Sequence, residues 1–192
     1  MPAKAPRRKF GASQKDRIFF ACLPDAETAA RIHVLAETLK GEQGFAGTSI
    51  LPEHLHVTLF HLGDWQVLPQ EIVEIAKRAA AEVVAPPFEV TFPRVESFNN
   101  RTGIYPFVLT GEATPWNALR NALGAALKKN GLGGAVHLED AFKPHVTLLR
   151  DQLRAKPLRV NPIVWTVRDF VLIHSLLGQT RHIELGRWPL LG

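Results

Sequence analysis

The sequence has little cysteine and no long apolar run, and both absences exclude whole classes of protein. Among 192 residues the one cysteine is Cys22, which excludes an intramolecular disulfide and a cysteine-rich zinc site. Because Cys22 lies in an apolar run, we expect it to be a core residue. No apolar stretch approaches the roughly 18 residues of a membrane span. The basic N-terminus lacks the apolar segment of a secretory signal, so we expect a cytoplasmic protein without membrane association.

The composition is that of a soluble globular protein, with 46% hydrophobic and 21% charged residues. A chain of this length buries about 70% of its surface, which suits one domain or two small lobes. The net charge of +5 favours anionic partners such as RNA or phosphates. Part of that charge lies in residues 1–16, which we interpret as a disordered basic tail; a nonspecific RNA contact is the alternative.

Strand and helix patterns alternate along residues 17–192, which we interpret as a single bilobal domain. This mixed order predicts an α+β fold with mostly antiparallel sheets and helices packed outside. We expect Asp25 to cap the first helix and Gly41 to end it, and Thr114 to cap the third. The predicted helices are 25–40, 69–84 and 114–130. The predicted strands are 17–24, 55–62, 88–98, 103–110, 142–149, 163–176 and 180–187, of which 88–98 and 103–110 form a hairpin.

One tetrapeptide occurs twice. His56-Val57-Thr58-Leu59 returns as His145-Val146-Thr147-Leu148, although composition alone predicts it only about 0.005 times. The repeat therefore indicates an internal duplication with a pseudo-twofold axis. In a strand, residues two apart share a face, so each copy presents an imidazole beside a hydroxyl. Two such copies facing one cleft suit a phosphate, with hydroxyls binding its oxygens and imidazoles transferring protons.

Two other interpretations of these histidines compete with that one. Each could be a hydrogen-bonded core residue, although two identical copies in matching strands argue against this. Alternatively, His54, His56 and His61 could bind zinc. Strand parity places His61 on the face opposite His56, which disfavours the zinc site.

With these motifs the chain resembles the RNA 2',3'-cyclic phosphodiesterases, also called 2'-5' RNA ligase-like proteins, of the two-histidine (2H) phosphoesterase superfamily. The resemblance covers about residues 17–190. It is carried by the segments RIFFACLPD, LHVTLFHLGD, SFNNRTGIYPFVLTG, FKPHVTLLR and HIELGRWPL.

The resemblance implies a bilobal α+β fold around a central cleft, with one motif in each lobe. It also implies metal-independent hydrolysis of a 2',3'-cyclic phosphate at an RNA end to a 2'-phosphate, without a cofactor. By similarity, His56 is the general acid and His145 the general base. Thr58 and Thr147 hold the phosphate, and so does Arg150, although strand parity places Arg150 on the opposite face unless the strand bulges.

Three further residues are candidates for contact with a base or with RNA. Many relatives carry an aromatic residue where this chain has His61, and an imidazole can also stack on a base. Lys143 shares the face of His145 if the strand is regular, and Arg17 could lie at the rim of the cleft. We assign no chemistry to His33, His137, His174 or His182.

Two functions compete with cyclic phosphate hydrolysis. RNA 2'-5' ligation is the same chemistry in reverse, with a 5'-hydroxyl in place of water. A non-catalytic module that binds RNA ends would need the basic cleft but not both histidines. For the leading function we expect RNA or nucleotides with cyclic phosphate ends as substrates, no metal, and a monomer.

Overall fold

The computed structural model describes residues 15–136 and 142–191, in which eight strands and three α-helices confirm the predicted α+β class. The predicted tail falls almost entirely outside the described residues. In chain order the elements are β1 (Asp16–Cys22), α1 (Ala26–Gln43), β2 (Val57–Trp65), α2 (Gln70–Ala81), β3 (Phe88–Ser97), β4 (Tyr105–Thr110), α3 (Asn117–Lys129), β5 (His145–Asp151), β6 (Leu158–Val167), β7 (Asp169–Leu176) and β8 (Arg181–Pro189).

The strands form one antiparallel sheet in the order β6-β3-β4-β5-β2-β1-β7-β8. Its two four-stranded halves meet where β5 pairs with β2 through Val57 and Val146. Each half contains a similar unit, β1-α1-β2 in one and β4-α3-β5 in the other. This arrangement is compatible with an internal duplication, which stays a prediction.

The main apolar core lies between the three helices and one face of the sheet. Each helix contributes a buried stripe to it, with residues such as Ile32, Val73 and Leu123. Alternate strand residues meet these stripes, because successive side chains in a strand point to opposite faces. Cys22 belongs to this core, and burial raises the pKa of its thiol. The helices therefore cover one sheet face and leave the other for a site.

The first helix begins as predicted but ends later. The carboxylate of Asp25 accepts a hydrogen bond from the backbone N–H of Thr28 at 2.8 Å, which confirms the N-cap. Gly41 does not end the helix, which continues to Gln43. Gly44 ends it in the left-handed conformation, with φ 71°. A glycine inside a helix costs only about 1 kcal/mol, and the packing of the buried face offsets that cost.

Two other predicted boundaries were wrong. The segment 163–176 is not one strand, because β6 ends at Val167 and β7 starts at Asp169. β6 pairs with β3 in one half of the sheet and β7 with β1 in the other, so the chain passes from one half to the other at Arg168. Thr114 opens a short 3₁₀ turn rather than α3, and no side chain caps that turn. The hairpin of β3 and β4 is confirmed.

None of the helices in residues 15–136 and 142–191 is both long enough and apolar enough to cross a membrane.

Candidate active site

The two tetrapeptides lie side by side at the junction of the two halves of the sheet. Val57 is paired with Val146 in antiparallel register, which continues to place Thr58 opposite His145 and His56 opposite Thr147. Both valines are fully buried in the helix-covered core. The histidines and threonines are half-buried and line one cleft on the other face. The structure thus brings the two histidines and the two threonines of the repeated motif together in one cleft.

The two imidazoles are held in the same way. His56 Nδ1 lies 2.6 Å from the carbonyl oxygen of His54, and His145 Nδ1 lies 2.8 Å from that of Lys143. A carbonyl oxygen only accepts, so Nδ1 carries the proton in both rings. In each neutral ring Nε2 is then the unprotonated nitrogen, available to a ligand. The two halves therefore share the backbone hydrogen bond that orients each histidine, as well as the four-residue motif.

A one-residue shift in strand register occurs at the fourth residue of each motif. In β2 the shift leaves Leu59 between the paired residues Thr58 and Phe60. In β5 it leaves Leu148 between Thr147 and Leu149. Such a bulge puts two consecutive residues toward the core and reverses the alternation of faces.

This reversal returns the fifth residue after each motif histidine to the cleft. His61 and Arg150 both line it, together with the motif residues. The parity argument that placed His61 on the other face was wrong, because it assumed a regular strand. The bulge that the prediction for Arg150 required is present in β5, so Arg150 faces the cleft.

The cleft has a volume of about 540 Å³ and a lining suited to an anion. Among the described residues that line it are three arginines, five histidines and no carboxylate. These basic residues are Arg17, Arg150, Arg181, His54, His56, His61, His145 and His182. Such a surface attracts phosphate groups.

Burial lowers the pKa of both motif histidines below the usual 6.5. For His56 desolvation is the largest cause, and the positive charges of His145, His54 and Arg150 add to it. For His145 desolvation again dominates, with Arg150 and Lys143 adding to it. Hydrogen bonds to the backbone carbonyls oppose the shift in both. Each ring can therefore be neutral near pH 7 and become protonated when an anion enters.

Arg150 brings a guanidinium to the cleft that no described carboxylate pairs with. Desolvation lowers its pKa, and the charge of Arg17 lowers it further. An arginine remains charged at neutral pH despite such a shift. Arg150 is therefore placed to bind an anionic ligand.

Arg17 and His61 share one carboxylate at the rim of the cleft. Arg17 donates two hydrogen bonds to Asp64, at 2.7 and 2.8 Å, and His61 Nε2 lies 2.8 Å from the same group. The hydrogen bond from Arg17 is the main reason that the pKa of Asp64 lies far below its usual range. Arg17 and His61, both predicted to contact a base or RNA, therefore line the cleft. The guanidinium of Arg17 is already paired with Asp64.

His182 is a cleft residue that sequence reasoning missed. Its ring contacts those of His54, His56 and Phe19, with centroid distances of 4.7, 5.5 and 5.7 Å. Desolvation, together with the neighbouring histidines, lowers the pKa of His182 to about 4. No local motif marks it, because β8 reaches the cleft only after β7 has paired with β1.

The regular strand on which the prediction for Lys143 depended is not present, because β5 begins at His145 and Lys143 precedes it. Its ammonium forms an ion pair with Glu96 at 2.9 Å. It lines a neighbouring groove rather than the cleft.

The zinc alternative gains no support from this arrangement. His56 Nδ1 faces a carbonyl oxygen and His61 Nε2 faces Asp64, so both rings are oriented by other partners. Within residues 15–136 and 142–191, no group of three or more histidine, cysteine, aspartate or glutamate side chains is arranged to hold a metal ion.

A family model described as the 2'-5' RNA ligase superfamily matches residues 23–179. The chain belongs to this superfamily. The match contains both motifs and the fifth residue after each motif histidine, His61 and Arg150. Membership places the chain among phosphoesterase and RNA ligase-type enzymes. No curated protein sequence matches the chain.

Solved structures of similar fold agree with this membership. TT0787 of Thermus thermophilus aligns with a TM-score of 0.72 and 23% identity, over 91% of this chain and 97% of that one. E. coli LigT in its apo form aligns with a TM-score of 0.64 and 25% identity, over 94% and 100% of the two chains. LigT complexed with 3'-AMP gives 0.65 and 24%, over 93% and 99%.

Proposed function

We propose that this protein hydrolyses 2',3'-cyclic phosphates at the ends of RNA or nucleotides and leaves a 2'-phosphate. One observation carries the proposal: His56 and His145 line a single cationic cleft, and each is fixed by an Nδ1–H bond to the carbonyl two residues before it. Two rings with identical support and free Nε2 atoms suit a reaction that needs one acid and one base.

The hydroxyls and the guanidinium bind the phosphate in this proposal. Thr58 and Thr147 lie opposite the partner histidines and donate to the non-bridging oxygens. Arg150 neutralises the charge that grows as the phosphorus becomes five-coordinate. These groups stabilise the transition state more than the bound substrate, so they accelerate the chemical step.

The two histidines transfer the protons. Neutral His145 accepts a proton at Nε2 from a water molecule, whose oxygen forms a bond to phosphorus. The bond between phosphorus and O3' breaks, and protonated His56 donates its Nε2 proton to O3'. The product carries the phosphate on O2', and a proton exchange with solvent restores both rings. General acid and base groups of this kind contribute about 10²–10⁴ each in rate.

The neighbours support a nucleotide ligand. LigT has been solved with 3'-AMP, ATP, NADP+ and phosphate. All four are phosphate-bearing anions, in keeping with a cleft that has three arginines in its lining and no described carboxylate.

RNA 2'-5' ligation is the second candidate, favoured by the name of the superfamily and by the near-symmetry of the site. In this reaction a 2',3'-cyclic end would be attacked by a 5'-hydroxyl instead of water. The same two histidines would serve, because both reactions break the P–O3' bond: His145 accepts the proton of the attacking hydroxyl, and His56 donates a proton to O3'.

Product analysis tests the proposal. A short RNA with a 2',3'-cyclic phosphate end is incubated with the protein in excess chelator, and the products are separated as 2'-phosphate, 3'-phosphate and joined strands. We expect the 2'-phosphate from the wild type. His56→Ala and His145→Ala should each reduce kcat by about 10²–10⁴.

His33→Ala is the control, because His33 bonds the Ile50 carbonyl and does not line the cleft. It should retain wild-type activity. Full activity in both motif variants would refute the mechanism, and a 3'-phosphate product would refute the assignment of the leaving oxygen. Joined strands as the main product would favour ligation.

A further inference from the structure

A second groove lies beside the catalytic cleft and is also cationic. Its lining includes Phe98, Asn99, Lys143, Arg154 and Lys156, and we call these five residues the basic groove. Glu96 is the one described carboxylate that lines it, and Lys143 pairs with Glu96 at 2.9 Å. Within the described ranges no carboxylate pairs with Arg154 or Lys156. Among the described residues, two cations of the groove therefore have no carboxylate partner.

The groove is a built feature rather than a loose loop. Ser97 and Ala155 exchange two hydrogen bonds, from Ser97 N to Ala155 O at 3.4 Å and from Ala155 N to Ser97 Oγ at 3.0 Å. The Arg154 guanidinium lies 5.1 Å from the centre of the Tyr105 ring. These contacts attach the loop after β5 to the end of β3, so they hold the cations in place.

Phe98 connects the groove with the catalytic cleft. Its ring meets His145 edge-on, with centroids 4.9 Å apart, and the Lys143 ammonium lies 4.7 Å from the centre of the same ring. The carbonyl of Lys143 also accepts the bond that orients His145. A chain leaving the cleft on the His145 side would therefore enter the groove directly.

We infer that the basic groove binds the RNA strand that precedes the cyclic phosphate end. The terminal nucleotide occupies the cleft, and the strand continues through its 5' phosphate toward Arg154 and Lys156. Proteins bind single strands without reading their sequence by a positively charged groove that follows the backbone and has aromatic side chains beside it, and the half-buried ring of Phe98 lies beside these cations. The inference rests on the proposed function and narrows it, because it makes oligonucleotide ends better substrates than cyclic mononucleotides.

The experiment compares two substrates with the same reacting group. Rates are measured with adenosine 2',3'-cyclic phosphate and with a tetranucleotide that ends in a 2',3'-cyclic phosphate. The test variant is R154Q/K156Q. The matched control R31Q/R78Q also removes two positive charges, from exposed sites on α1 and α2.

We expect the wild type to prefer the tetranucleotide. The test variant should lower kcat/KM for the tetranucleotide about tenfold, mainly through KM, and leave the mononucleotide rate unchanged. The plot of log kcat/KM for the tetranucleotide against log salt concentration should also be shallower in the test variant. Each phosphate contact to a single strand contributes about 0.7 to this slope, so the loss of two contacts should reduce it by about 1.4. The control variant should match the wild type on both substrates.

Three outcomes would overturn the inference. They are equal wild-type rates on both substrates, an equal loss on both substrates in the test variant, and the same loss in the control. A wild type that hydrolyses neither substrate refutes the proposed function instead. In that case the affinity for a labelled tetranucleotide that ends in a 3'-phosphate is measured by fluorescence anisotropy. Lower affinity in the test variant alone would support the groove, and unchanged affinity would overturn it.

Discussion

Val57 and Val146 lie directly opposite each other where the two halves of the sheet meet. Each is the second residue of a His-Val-Thr-Leu sequence, so their pairing sets the histidine of one motif against the threonine of the other. Both valines are fully buried against the helices. The histidines and threonines of both motifs thus flank a fully buried pair of valines, whose packing holds their geometry.

The first prediction concerns pH. In the free enzyme the reaction needs neutral His145 and protonated His56, so kcat/KM should follow a bell-shaped curve. Both pKa values lie below 6.5, so both limbs, and the optimum between them, should lie below pH 6.5. A bound phosphate stabilises the imidazolium forms and should shift the kcat curve to higher pH.

This prediction is checked with rates between about pH 4.5 and 8.5. The variant His182→Gln separates any contribution of His182, whose pKa is about 4, from that of the two motif histidines. A kcat/KM optimum above pH 6.5 would contradict the assignment.

The second prediction concerns the hydroxyls. Thr58→Val and Thr147→Val keep the shape of the side chain and remove the donor. Because hydrogen bonds to charged groups are strong, each change should lower kcat/KM by about 10- to 100-fold. The control Thr91→Val changes an exposed threonine on β3 outside the cleft. Threonine variants as active as this control would show that the hydroxyls do not bind the phosphate.

The third prediction concerns Gly47, which packs against the end of β5. A Cβ atom there would lie 2.1 Å from the carbonyl oxygen of Arg150, so the backbone must move. Gly47→Ala should cost about 1–3 kcal/mol of unfolding free energy, and it should raise KM because Arg150 shifts.

Gly41→Ala is the matched control for this change. Gly41 lies inside α1, and a methyl group added there would have no neighbouring atom within 4 Å, so alanine should stabilise by about 0.5–1 kcal/mol. Denaturant unfolding measures both variants. Equal stability of the two would contradict the tight contact at Gly47.

The fourth prediction concerns acid stability. The pKa of Asp64 is strongly lowered, mainly by the hydrogen bond from Arg17. A lowered carboxyl pKa stabilises the fold above the unfolded value of about 3.9, and this contribution is lost as pH falls further. Asp64→Asn should therefore have a lower Tm than the wild type at pH 6, and the difference should narrow at pH 3. A constant difference at both pH values would contradict this account.

The sequence by itself determined the fold class, the superfamily and the central pair of motifs. The repeat of four residues was sufficient because its spacing of two places imidazole and hydroxyl on one strand face, whatever the rest of the fold does. The Asp25 cap was predictable for a similar reason, since capping depends on residues only three apart.

Only the tertiary structure decided which distant residues complete the cleft. The bulges at Leu59 and Leu148 reverse strand parity, and this brings His61 and Arg150 beside the motifs. A bulge depends on pairing with a neighbouring strand, which no local pattern records. His182 reaches His56 across β1, and Lys143 pairs with Glu96 because it lies outside β5, which starts only after Pro144. Local spacing fixes which face a side chain takes within a regular strand, whereas contacts between strands set where that regularity breaks.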